Sequence, residues 1–191
     1  FPVVTSLGCV KVKTNAYSVP VPAGTAVQVQ VGAAHVEIWH AGRRVAHHER
    51  CYGRYQEILD LEHYLDVLEH KPGALAGSKP LEQWRQLGRW PASYDALWAA
   101  LIARQGRAAG TKAMIELLQL GRHHGPERLR AAVETALALG CQDAAAIRHL
   151  LATPVLGHPP PPVLAPPALA RFDRPVPALT VYDELLAGVA R

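Results

Sequence analysis

The chain has 191 residues, 49% of them apolar, and a formal net charge of +4. That length and composition allow one or two small domains with a real core, and no run of about 18 apolar residues is present to form a membrane span. Three widely separated cysteines, Cys9, Cys51 and Cys141, cannot close a disulfide set, which excludes a disulfide-stapled scaffold and fits a reducing cytoplasm.

Residues 1–55 predict a small β module. Val10–Lys13 and Tyr17–Val19 read as short strands split by a turn signal at Asn15. Pro20 and Pro22 interrupt any continuing ladder, because proline donates no backbone hydrogen bond. Val27, Val29 and Val31 then alternate with polar Gln28 and Gln30, and Val36-Glu37-Ile38-Trp39 alternates again. Ala41-Gly42-Arg43 supplies a tight turn, and Val45–Arg50 a final strand. Five short strands at this spacing predict a small five-stranded β-barrel. This segment also carries the charge excess: Lys11, Lys13, Arg43, Arg44, Arg50 and Arg54 stand against only Glu37 and Glu49.

Residues 56–153 switch to helical spacing. A short helix is expected over Asp60–Glu69 in a linker spanning 56–76, stopped by Pro72-Gly73. A bundle over 77–153 follows. A helix from near Pro80 points Leu81, Trp84 and Leu87 at a core. Ser93 is a natural N-cap for the stripe Tyr94, Leu97, Trp98, Leu101 and Ile102. Thr111 opens a helix that Gly121 closes. Gly125-Pro126 starts another, with Leu129, Ala132, Val133, Ala136 and Leu137 on one face. Asp143 caps a last helix containing Ile147, Leu150 and Leu151. Eleven basic and eleven acidic groups balance here, so net charge alone gives the bundle no polyanion face. Residues 154–191 hold nine of the sixteen prolines between Pro154 and Pro177, which predicts an extended tail. Val181, Tyr182, Leu185 and Leu186 form a candidate partner-binding motif at its end, with a frayed terminus as the plain alternative. The expected fold class is therefore α+β: a barrel, a helical bundle and a proline-rich extended tail.

The candidate chemistry is polyanion binding. Lys11 and Lys13 share one face of a strand, Arg43 and Arg44 sit at a hairpin tip, and His48 and Arg50 share a face of the final strand, with Arg54 following. Long cations so placed reach phosphates and release counterions, although solvated surface charges give the same pattern. Tyr17, Trp39 and Tyr52 are suited to stacking on bases or to core packing. The adjacent pairs His47-His48 and His123-His124 lack metal-ligand spacing. Glu62 and Asp66 stand at i, i+4 but read as a solvated helix face. No hydrolase or phosphate-loop motif is present.

The run Asn15-Ala16-Tyr17-Ser18-Val19-Pro20 resembles the opening of the barrel that follows the catalytic domain in Mu-like and retroviral-integrase-like transposases. Val36-Glu37-Ile38, Val45–Arg50, His63-Tyr64-Leu65, Lys71–Leu75 and the terminal Tyr182–Leu186 are similar to the IstA-type transposase of two-gene insertion sequences. The resemblance implies a C-terminal portion, which the start at Phe1 rather than Met also suggests. It implies a DNA-binding and assembly region for transposition in the bacterial cytoplasm, associated with the nucleoid. Its implied partners are transposon or target DNA, an AAA+ ATPase of the IstB type, and further copies of the transposase. The Asp-Asp-Glu triad and its divalent metal, such as magnesium, would lie in a catalytic domain outside this chain, so no catalytic residue and no cofactor are assigned to it. The alternative reading is a non-catalytic module that binds RNA or a protein partner.

Overall fold

Apolar alternation in the N-terminal segment does produce strands, but they do not close on themselves. A computed structural model describes residues 1–153; the tail and the motif Val181, Tyr182, Leu185 and Leu186 lie outside the described residues. Strands β1 (Cys9–Val12), β2 (Asn15–Ser18) and β6 (Glu57–Ile58) form one sheet in the order β1-β2-β6. Strands β3 (Gln28–Val31), β4 (His35–His40) and β5 (Arg43–Glu49) form an antiparallel meander. The five-stranded barrel is thus corrected to two three-stranded sheets. The physical reason lies at Pro20 and Pro22: without backbone donors there, β2 cannot continue its ladder into β3, and the chain crosses to a second sheet. Val4, Val10, Tyr17, Val19, Val27, Val36, Ile38 and Ala46 make one core shared by both sheets.

Two turns set the ends of the strands. In the β1–β2 hairpin Val12 pairs with Asn15, so Lys13 and Thr14 form the turn, and Lys13 takes a positive φ of 54°. Lys13 therefore does not share a strand face with Lys11, and Asn15 is a buried strand residue rather than the turn itself. In the β4–β5 hairpin His40 pairs with Arg43, and Ala41 and Gly42 both adopt positive φ, as a two-residue hairpin turn of the favoured hand requires. β6 is only two residues long and pairs parallel with β2; too short for any periodicity, it escapes a sequence reading.

A 3₁₀ turn over Leu61–Tyr64 leads into α1 (Leu65–His70), followed by α2 (Lys79–Gln86), α3 (Ala92–Gln105), α4 (Arg107–His124), α5 (Pro126–Ala138) and α6 (Ala144–Ala152). Leu61, Leu65, Leu97, Leu101, Ile115, Leu117 and Ile147 are wholly buried in one core. Ser78 caps α2 and Asp143 caps α6, each accepting the backbone N–H of the third helical residue, Leu81 and Ala146. Several expectations are corrected. Leu87 is 68% exposed, because α2 ends at Gln86. Ser93 lies inside α3, and its buried Oγ has no partner. Helix α4 begins at Arg107, not Thr111, after the single residue Gly106. Gly121 continues that helix; a Cβ there would meet the Leu129 side chain at 3.0 Å, so its smallness admits α5 rather than ending α4.

Candidate nucleic-acid interface

The candidate site is built around the segment that leaves β5 and returns as β6. Asn15, 5% exposed on β2, donates from Nδ2 to the carbonyls of Cys51 (3.0 Å) and Gly53 (2.9 Å), and its Oδ1 accepts from the Gln56 amide (3.0 Å). The Cys51 amide donates to the Tyr17 hydroxyl at 3.1 Å. Arg50 donates to the Gly32 carbonyl (2.7 Å), and the Tyr52 hydroxyl donates to the Ala33 carbonyl. Residues 50–56 are thereby fixed to β2 on one side and to the β3–β4 turn on the other.

This fixation brings three of the predicted cations together. Lys13, Arg50 and Arg54 line one groove of about 280 Å³ with Asn15, Tyr52 and Gly53. Lys11 is exposed on β1, two residues before Lys13. Arg43 is exposed at the far end of β5, on the order of 20 Å from Arg50 at about 3.3 Å per residue. Arg44 is engaged: its Nη1 contacts Glu37 Oε1 at 2.8 Å, and this hydrogen bond holds the Glu37 carboxyl below its usual range. His48 leaves the set. It is 6% exposed, turned into the module, with Nε2 2.7 Å from the Ser18 carbonyl, and burial pushes its pKa down, so it is neither accessible nor charged near neutral pH.

Ion pairing divides the two halves of the chain. In the helical part Lys79, Arg85, Arg89, Arg104, Lys112, Arg122, Arg130 and Arg148 are each paired with a carboxylate. Among the described residues, Lys11, Lys13, Arg43, Arg50 and Arg54 have no carboxylate partner within 4.0 Å, against Arg44, which does; in the helical part only Lys71, Arg107 and Arg128 lack one. The local charge excess read from the sequence is therefore also an excess of uncommitted charge.

Of the aromatic candidates, Tyr17 is core at 2% exposure, Trp39 is half-buried, and Tyr52 is 73% exposed with the Arg50 guanidinium 4.6 Å from its ring centroid. His47 stacks on His35 (ring centroids 4.5 Å apart), while His123 and His124 end α4. Among the described residues no group of three or more His, Cys, Asp or Glu side chains is arranged to hold a metal ion. A larger groove of about 770 Å³ shares Arg50 and Cys51 with the first, but Glu49, Glu57 and Asp60 line it as well as Arg89, so it has no single sign.

A second polar cluster joins the sheets to the first helical turn. Ser18 Oγ accepts from the Asp60 amide and lies 2.8 Å from His63 Nδ1, while the Asp60 carboxylate takes Trp84 Nε1 (3.2 Å) and Arg89 Nη1 (2.8 Å). Burial pushes His63 down to about 4. Burial also pushes the Asp60 carboxyl up, but Arg89 outweighs it and holds the group below its usual value. Serine, histidine and aspartate meet here without forming a nucleophilic triad: Ser18 is fully buried, and Asp60 offers its amide to the serine and its carboxylate to Trp84 and Arg89.

Residues 2–60 match the family described as Mu transposase, C-terminal domain. Over 188 residues the chain is 31% identical to the transposase for insertion sequences IS1326/IS1353 of Pseudomonas aeruginosa and of Shigella flexneri, covering 95% of this chain and 35% of each relative. It is 30% identical over 190 residues to a transposase of Aminobacter aminovorans, covering 95% of this chain and 36% of that protein. No solved structure matches. The chain spans about a third of the length of these relatives. Over nearly its whole length the chain is thus similar to a C-terminal portion of insertion-sequence transposases, with the Mu transposase C-terminal domain matched in residues 2–60.

Proposed function

We propose that the two-sheet module holds DNA during transposition, through phosphate contacts from Lys13, Arg50 and Arg54, with Lys11 alongside and Arg43 as a second point of contact. The observation that carries this reading is the uneven pairing of charge. Cations in the helical part mostly face carboxylates of the same chain, whereas among the described residues of the module only Arg44 does, and Lys13, Arg50 and Arg54 line a groove whose walls are fixed by Asn15. An unpaired cation costs no broken ion pair when it meets a phosphate, and its long side chain exchanges condensed counterions for itself. Similarity to transposases supports DNA as the polyanion.

Fluorescence anisotropy of the whole chain on labelled duplex DNA across a salt series tests the proposal. Replacing Lys13 and Arg54 together by alanine should reduce the steepness of log K against log salt by about 2, near 0.9 per lost phosphate contact. Arg44→Ala should change the slope less, because that guanidinium already faces Glu37. A double variant that binds with wild-type affinity and slope would refute the reading, and tight salt-independent binding to a protein would favour a partner-binding module instead.

A further inference from the structure

Phosphate binding leaves two exposed aromatics of this corner unexplained, Tyr52 and Tyr55, and of these Tyr52 lines the groove. The residue is 73% exposed and lines the groove that holds Lys13 and Arg54. Aromatic surface left in water contributes no burial energy to folding. Nor is the ring needed to hold the loop, since Asn15 and Arg50 already bind residues 51, 53 and 56 and the β3–β4 turn. Yet the ring is not loose. Its hydroxyl is tethered to the Ala33 carbonyl, and the Arg50 guanidinium covers one face at 4.6 Å from the centroid. With one face under Arg50 and most of the residue in solvent, the ring is held where a flat partner can meet it.

Resting on the DNA reading above, we infer that Tyr52 is a stacking platform for an unpaired nucleobase, which makes strand-separated DNA, rather than intact duplex, the preferred ligand of this corner. Bases in a duplex already stack on each other and offer a protein only their edges. A rigid exposed ring gains a π partner only where a base is free, and such stacking is tolerant of sequence. The charges fit the same ligand: Lys13 and Arg54 line the same groove as Tyr52, where the phosphates on either side of a stacked base would run. Because the ring is already immobilised, little rotamer entropy is lost on stacking.

The test compares an oligothymidylate of about 12 nucleotides with a mixed-sequence duplex of the same length, within the range of single-strand site sizes. Tyr52→Ala should weaken single-strand binding by about 5- to 150-fold, with duplex affinity changed by less than about threefold. The salt slope should stay at its wild-type value, since no cation is removed. Tyr52→Phe, which keeps the ring, should retain most of the affinity. Equal losses on both DNA forms, or an unchanged single-strand affinity in Tyr52→Ala, overturn the stacking role. If duplex binding still depends on Lys13 and Arg54 in that case, the DNA reading survives and only this inference fails. If the wild-type chain binds neither form, both fail.

Discussion

Asn15 shows how one side chain shapes the candidate site. Its amide satisfies two carbonyls and one N–H of a loop 36 to 41 residues away, each of them partly buried. A net hydrogen bond contributes about 0.5–1.5 kcal/mol, and a carbonyl left without a partner costs more than the bond was worth. Asn15→Ala is therefore expected to lower stability by about 2–3 kcal/mol in urea unfolding and to speed amide exchange in residues 51–56. Asn15→Asp should be no better, since it sets a carboxylate against the Cys51 and Gly53 carbonyls. A loss below about 0.5 kcal/mol with unchanged exchange would show that the loop holds itself. This role is invisible in the sequence, where Asn15 between two short strand runs reads as a turn. Its partners are fixed only once β2 and β6 pair. The same limit applies to His48 and Arg44: alternation gives the face of a strand, but not whether that face meets Ser18, a carboxylate or water.

At the level of elements, legibility followed the strength of the periodic signal. Helices α5 and α6 carry full apolar stripes and recognisable starts, Pro126 after Gly125 and Asp143 as a cap, and they form where the spacing predicts. The start of α4 was obscured because Arg107-Ala108-Ala109-Gly110 has no apolar period and only Gly106 separates it from α3. Gly110, in that silent turn, lies against the backbone of α3. A Cβ there would lie 2.6 Å from the backbone of Leu101 and Ile102. Alanine normally gains about 1 kcal/mol over glycine within a helix. Here the overlap is with backbone, which cannot swing aside, so the helices must separate and overpacking of about 1–3 kcal/mol prevails. Gly110→Ala should lower the thermal midpoint. A raised midpoint would mean that α3 and α4 pack more loosely than this contact requires. Gly121→Ala should be milder, because its neighbour is the end of the Leu129 side chain.

Across the whole molecule, the sheets and the helical part are joined through a polar cluster that remains intact only while its imidazoles stay neutral. The Asp60 amide already donates to Ser18 Oγ, so the hydroxyl proton is available to His63 Nδ1, an arrangement suited to an unprotonated ring. His48 lies edge-on to His63 with centroids 5.4 Å apart, and a charge on one opposes a charge on the other. Asp60 favours protonation of His63, whereas burial, His48 and Arg122 oppose it, and the balance leaves the pKa at about 4 against 6.5 for a free imidazole. The unfolded chain therefore binds a proton between pH 6.5 and 4 that the folded chain does not. Stability from this group is complete above about pH 6.5, falls as pH drops, and stops falling below about 4. At about 1.4 kcal/mol per pKa unit the full loss is roughly 3 kcal/mol, of which about 2 kcal/mol is gone by pH 5; the depressed pKa of His48 adds in the same direction. Urea unfolding at pH 7 and pH 5 should show this decline in the wild-type chain. His63→Asn, which keeps a polar atom near Ser18 Oγ without a titrating ring, should flatten much of it. A variant with the wild-type pH dependence would move the acid sensitivity away from the junction, and an unchanged wild-type stability at pH 5 would show that His63 is not held neutral at all.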